Sequence, residues 1–176
     1  MMIVPLKRGE LPRGTAELAR FLIGRAVVAE HDGIRQIGRI VECEAYPPGD
    51  PAGHAYNGRT TRNAALFLDR GHAYVYRAYG IHWLLNVTSE ELGVGAGVLI
   101  RALDALEGIA APTDGPGKLT KALGIERRFD VVDLCAPGSL WLGSLDRAIG
   151  AIVTSPRIGI SKARESPLRF LERKRP

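Results

Sequence analysis

The chain has little sulfur and few histidines. Its 176 residues include two cysteines, Cys43 and Cys135, and four scattered histidines. That is too few for a disulfide framework, and it argues against a structural zinc site. Long apolar runs are also missing. The opening stretch "MMIVPLKRGELPRG" has none of signal-peptide length, and no segment approaches the length of a membrane span. These absences predict a cytoplasmic or nucleoid-associated protein with no membrane partner. Internal repeats, low-complexity segments and domain linkers are absent too. One domain over residues 1–176 is therefore expected, long enough to bury a core.

Glycine and proline are plentiful. The 21 glycines and 11 prolines predict many turns, hence more strand and loop than helix. The 24 basic residues exceed the 19 acidic ones, giving a net charge of +5 and a pI of about 9.5. That balance suits an anionic partner such as nucleic acid, although many basic proteins bind none.

"GTAELARFLIG" reads as a helix with Thr15 as N-cap, an apolar stripe at Leu18, Phe21 and Leu22, and Gly24 at its end. "RAVVAE" and "IRQIGRIVECEAY" read as strands joined by a turn at Asp32-Gly33. A Pro/Gly-rich segment follows, in which Thr61 is placed to cap a short helix through Phe67. "GHAYVYRAYGIHWLLNVTS" reads as a hairpin turning near Tyr79-Gly80, and "GAGVLIRAL" as another strand. "DGPGKLTKALGI" reads as a helix opened by Pro116 and closed by Gly124. "SLWLGS", "AIGAIVTS" and "RIGIS" are further candidate strands, and the basic tail "SPLRFLERKRP" is expected to be partly loose at its end.

The stretch "IVECEAY" poses the main question. A strand period of two puts Ile40, Glu42, Glu44 and Tyr46 on one face, and Val41, Cys43 and Ala45 on a core face. Two carboxylates on a strand are commonly a solvated face, with Arg39 or Arg101 as candidate partners. The functional alternative is a general base in an aromatic cleft. In the hairpin, a two-residue turn pairs Tyr76 with Trp83 and sends Asn86 to the opposite face. A three-residue turn pairs Tyr76 with His82 and puts Asn86 on Tyr76's face; it is preferred because glycine suits a left-handed Gly80. Either way Tyr79 lies at the tip, as a solvated turn residue or as a wedge that enters a base stack. "GPGKLT" lacks the Gly-Lys-Ser/Thr of a phosphate loop.

The blocks "GRIVECEAYPPGDPAGHA", "RTTRN", "YVYRAYGIHWLLNV", "VLIRALDALEG", "GPGKLTKALGI" and "RIGISKARESPLRF" together resemble the alkyladenine (methylpurine, or 3-methyladenine) DNA glycosylase family, from about Leu18 to Phe170. The resemblance implies an α/β (α+β) fold. A single compact domain would be built around a curved antiparallel β-sheet with a protruding β-hairpin, and helices would pack around it. It implies a monofunctional enzyme, with no lyase activity, that cuts the N-glycosidic bond of 3-methyladenine, 7-methylguanine, hypoxanthine or ethenoadenine in duplex DNA. It implies no metal and no organic cofactor.

By the same resemblance Glu44 is the general base and Arg101 helps hold it and the attacking water. Tyr46, His54 and Tyr76 form the base pocket, and Asn86 at its edge disfavours guanine. Tyr79 fills the gap left by a flipped nucleotide. Arg59, Thr61, Arg62 and Lys118 are candidate backbone contacts. Glu42 is assigned support or a salt bridge. No lysine falls among the matched pocket residues, so no Schiff base is expected. "RTTRN" is one residue shorter than its counterpart in the larger animal members, which leaves the match at Thr61 open. Compactness and the missing N-terminal extension suggest a bacterial member, and a monomer is expected because a monofunctional glycosylase of this size needs no second subunit. A non-catalytic DNA- or RNA-binding module and a nucleoside hydrolase are the rival readings.

Overall fold

The strand that carries the two glutamates is 13 residues long, and the sheet is built around it. The structure, a computed structural model, describes residues 2–173. In chain order its elements are β1 (Ile3–Pro5), α1 (Thr15–Leu22), β2 (Ala26–His31), β3 (Ile34–Tyr46), β4 (Ala73–Ala78), β5 (His82–Thr88), β6 (Gly97–Glu107), α2 (Pro116–Ala122), β7 (Leu140–Leu145), β8 (Ile152–Ser155) and β9 (Arg169–Glu172). Short 3-10 turns lie at Arg8–Glu10, Ala64–Phe67 and Arg127–Phe129. Strand and loop dominate, as the glycine and proline content predicts.

All pairings between strands are antiparallel, in the order β1-β7-β2-β3-β6-β5-β4. β3 changes neighbour along one edge. Its first half pairs with β2 up to Arg39, and its second half pairs with β9 from Glu42 to Glu44. The other edge runs along β6. The result is a curled sheet in the expected α/β class, with α1 and α2 packed on one face.

The hand-over between β2 and β9 coincides with irregular register at Ile40/Glu42 and Glu42/Cys43. This bulge corrects the simple alternation expected for "IVECEAY". Ile37 packs on one face with Val28 and Trp141. Ile40 packs on the other, with Cys43 and Ala45. Ile40 therefore does not share a face with the glutamates, and Val41 belongs to neither buried cluster. One extra residue changes which parity faces the core. The bulge frees Glu42, Glu44 and Tyr46 to project away from the helices.

The main core lies between the sheet and the helices. Leu18 and Leu22 of α1 and Leu119 of α2 are fully buried in it, each worth about 1.5–3 kcal/mol of burial. α1 begins one residue earlier than expected, with Gly14 rather than Thr15 as N-cap. The Thr15 hydroxyl instead bonds the Ser89 hydroxyl at 2.8 Å and a Glu90 carboxylate oxygen at 2.6 Å, tying the helix to the end of β5. α2 does start on Pro116. It ends in paired bonds, Gly124 N–H to Lys121 C=O and Ile125 N–H to Thr120 C=O, with Gly124 left-handed at φ 62°. This is the Schellman geometry that glycine permits.

Two further expectations are corrected. The short turn before Phe67 is capped by Asn63, not Thr61. Asn63 is buried: its Oδ1 accepts the Thr60 backbone N–H, its own N–H donates to the Thr60 hydroxyl, and its Nδ2 donates to the His54 and Gly58 carbonyls. Thr61 is exposed. "RIGIS" is not a strand but an irregular loop between β8 and β9. The basic tail forms β9, and the looseness expected of its end concerns residues 174–176, which lie outside the described residues.

Candidate active site

The hairpin of β4 and β5 pairs Ala78 with His82, Tyr76 with Leu84 and Tyr74 with Asn86. Neither expected register occurs. The tight turn does sit at Tyr79-Gly80, both left-handed at φ 50° and 68°, and it is closed by Ile81 N–H to Ala78 C=O at 3.0 Å. Ile81 then adds one residue, which shifts the pairing and restores the parity of the longer-turn alternative. Asn86 thus faces the same side as Tyr74 and Tyr76.

That face and the open face of β3 enclose a cavity of about 600 Å³, within the size range of small-molecule sites. Tyr46, His54, Tyr76, Asn86, Arg101, Tyr79 and Arg62 all line it. Glu44 is 0% exposed and lies directly behind Tyr46 and Arg101. Its Oε2 accepts the Tyr46 hydroxyl at 2.8 Å and lies 3.3 Å from Arg101 Nη1. Its Oε1 accepts the backbone N–H of Ile158 at 2.8 Å. Arg101 also donates from Nε to Glu42 at 3.0 Å, and Glu42 accepts Arg169 at 2.7 Å. Two glutamates and two arginines therefore alternate in a chain that compensates the buried carboxylate. Glu42 is a salt-bridge partner, as expected.

An aromatic wall faces this end. The His54 and Tyr76 rings are 4.4 Å apart at 65°, and Tyr74 stacks on Tyr76 at 5.3 Å. The Tyr74 hydroxyl lies 3.0 Å from His54 Nδ1, and the Tyr74 carbonyl accepts Asn86 Nδ2–H at 3.2 Å. Tyr74, which the sequence reading did not select, thus orients two pocket residues. Its two-residue spacing from Tyr76 was the available signal. Burial, with the nearby Arg62 charge second, lowers the His54 proton affinity below its ordinary value, so a neutral imidazole faces the cavity near pH 7. Burial first, and the Glu44 charge second, push the Tyr46 hydroxyl well above its usual range and that of Tyr76 up to about 12. Both remain hydrogen-bond donors. Burial raises the Cys43 thiol far above its usual range and Cys135 to about 11, which removes both as nucleophiles.

The rim is less ordered by contacts. Tyr79 is 91% exposed at the tip. Arg62 lines the cavity and donates to the Arg77 carbonyl at 3.3 Å. Arg59 and Thr61 are exposed and do not face it. Lys118 is also outside, paired to Asp114 at 3.1 Å. A lysine outside the residues matched from the sequence also lines the cavity: Lys162, whose ammonium lies 5.8 Å from the Tyr56 ring. Asp50, Arg157 and Ile158 were likewise not selected from the sequence. Among the described residues, no group of three or more His, Cys, Asp or Glu side chains is placed to hold a metal.

A buried carboxylate and an aromatic slot on a curled sheet are the parts expected of a base-excising enzyme. The model of one protein family, described as methylpurine-DNA glycosylase, matches residues 10–176. The chain belongs to the methylpurine-DNA glycosylase family. Curated relatives provisionally named 3-methyladenine DNA glycosylases agree. One from Mesorhizobium japonicum is 50% identical over 96% of this chain and 87% of its own length. Others from Paraburkholderia phytofirmans and Rhodopseudomonas palustris are 44% and 46% identical, over 97% and 94% of this chain and 85% and 86% of theirs. Membership places this chain among DNA glycosylases, which hydrolyse N-glycosyl bonds, with DNA as the substrate polymer. No helix of the described residues is long and apolar enough to cross a membrane.

Proposed function

We propose that this methylpurine-DNA glycosylase takes an alkylated or deaminated purine out of duplex DNA and hydrolyses its N-glycosidic bond with a water activated by Glu44. The observation that carries this reading is a fully buried carboxylate, charge-balanced by Arg101, at the closed end of a cavity walled by Tyr46, Tyr76 and His54. The flipped base stacks between Tyr46 and the Tyr76–His54 wall, where electron-rich rings favour alkylated, cationic purines. Tyr79 occupies the vacated place in the stack, and Arg62 meets the backbone. Asn86, fixed by the Tyr74 carbonyl, sets the edge at which the exocyclic amine of guanine is disfavoured.

Glu44 does not itself face the cavity, because Tyr46 and Arg101 stand between. A water reaches it when the entering base displaces one of these contacts, in keeping with catalytic hydrogen bonds that assemble only with substrate. An N-alkylated purine leaves with its positive charge neutralised, so one general base suffices. Hypoxanthine, being neutral, relies on hydrogen bonding to the departing ring.

The supporting experiment is base release from duplexes carrying one hypoxanthine, one ethenoadenine or methylated purines, read as alkali-labile sites. Wild type is expected to release base and Glu44→Gln to bind without release. Release by Glu44→Gln at the wild-type rate would remove Glu44 from this role. Duplex binding with no release by wild type would favour the binding module, and turnover of free nucleosides would favour the nucleoside hydrolase. The reaction is hydrolytic, so strand breaks should need alkali and borohydride should trap no adduct. A trapped adduct lost in Lys162→Ala would instead make Lys162 a lyase nucleophile.

A further inference from the structure

Arg157 has no part in the mechanism above, yet its side chain is 0% exposed and paired to Asp50, itself 3% exposed. Its Nε and Nη2 have no hydrogen-bond partner among the described residues. An apolar side chain would fill this space without desolvating a charge, so packing alone does not explain an arginine here.

Its contacts do. Nη1 donates to the Ala45 carbonyl at 2.9 Å. The guanidinium carbon lies 4.6 Å from the centre of the Tyr46 ring. Tyr46 lines the cavity and Arg157 does not, so the cation backs the ring from the far side. The next residue, Ile158, gives its N–H to Glu44. Three consecutive residues, Glu44, Ala45 and Tyr46, are thus each held by the pair Arg157–Ile158. Asp50 anchors the guanidinium from the loop that presents His54 four residues later.

We propose that Arg157, anchored by Asp50, is a positioning residue that sets the plane of Tyr46 and the direction of the Glu44 carboxylate, and that its charge tempers the preference of Tyr46 for cationic bases. The proposal rests on the glycosylase reading. A guanidinium behind an aromatic ring draws π density to its own side, and the cavity face attracts a second cation less. A neutral base, held by stacking area, is less affected by that loss. Arg157 therefore helps the site accept neutral lesions beside charged ones.

The test compares wild type, Arg157→Met and Arg157→Lys in single-turnover release of hypoxanthine and of 7-methylguanine from duplex DNA. Duplex affinity, melting temperature and the fluorescence change of ethenoadenine on binding are measured on the same proteins. Arg157→Met should slow hypoxanthine release about ten- to a hundredfold at saturating enzyme, the scale of a misplaced reacting group. It should slow 7-methylguanine release less, by about threefold or more, through the restored cation–π attraction. Duplex affinity should stay at the wild-type value. Arg157→Lys keeps the charge and the Asp50 pair but not the planar face, so it should recover the ratio between lesions and only part of the rate.

Equal slowing of both lesions by Arg157→Met, or a wild-type rate, overturns the proposal. If Arg157→Met does not fold, a wild-type hypoxanthine rate in Arg157→Lys overturns it alone. If wild type releases neither base, the glycosylase reading falls separately. The ethenoadenine signal then decides: a smaller change in Arg157→Lys supports the positioning of Tyr46, and an unchanged one refutes it.

Discussion

At the deep end of the cavity Glu44 is fully enclosed, and three groups hold its two oxygens. At the mouth Tyr79 is 91% exposed on a tight turn, beside an Ile81 that is 68% exposed. The first arrangement fixes a charge in place before substrate arrives, which is what preorganised electrostatic catalysis requires. The second leaves a side chain free to enter a base stack and withdraw. Substitutions at the deep end should therefore alter chemistry and stability together. Substitutions at the tip should alter handling of the base and leave stability alone.

The strongest way to break this contrast is Glu44→Gln. Single-turnover release should fall by about 10²- to 10⁴-fold, the usual worth of a general base, with duplex affinity retained in a gel-shift titration. Next comes Arg101→Met, which leaves the 0%-exposed Glu44 without its cation. Urea unfolding should show a loss of about 3–5 kcal/mol, the size found when one partner of a buried pair is removed. Tyr79→Ala should slow release about tenfold, a fraction of the few kcal/mol that unstacking a base costs. Its stability should remain within about 0.5 kcal/mol of wild type, as for surface substitutions generally. Loss of stability in Tyr79→Ala would show that the tip is part of the framework.

The smallest effect concerns His54. Its folded-state proton affinity is lowered, by burial first and then by Arg62. The unfolded chain binds the proton more readily, so this contribution to stability is present above pH 6.5 and is lost as the pH falls below it. Melting temperatures from pH 8 to 5 should fall more steeply for wild type than for His54→Gln. Parallel curves would mean that the fold does not lower the proton affinity of His54.

Much of the deep end was legible from residue spacing. Glu44 and Tyr46 do share a face; that Arg101 reaches Glu44 was implied by the family resemblance and not by spacing. Ile40 was misplaced because one bulged residue reverses strand parity, and nothing in "GRIVECEAY" announces the bulge. The hairpin register was missed for the same kind of reason, since Ile81 adds a residue beyond the turn. "RIGIS" has strand-like alternation, but the Ile158 N–H bonds a carboxylate instead of a neighbouring strand. Periodicity cannot see where a backbone donor will go. The Asp50–Arg157 pair joins residues 107 apart in sequence, and only the folded curl of the sheet brings them under Tyr46. The resemblance to known glycosylases pointed to the site; the buried supports behind it came from the structure.

The most direct measurement uses Glu44→Gln bound to a duplex carrying one ethenoadenine, with base fluorescence and abasic sites followed in the same sample. The account predicts that the fluorescence change on binding matches wild type while no abasic sites form. Abasic sites appearing at the wild-type rate would contradict it, because the chemistry would then not reside in the buried carboxylate.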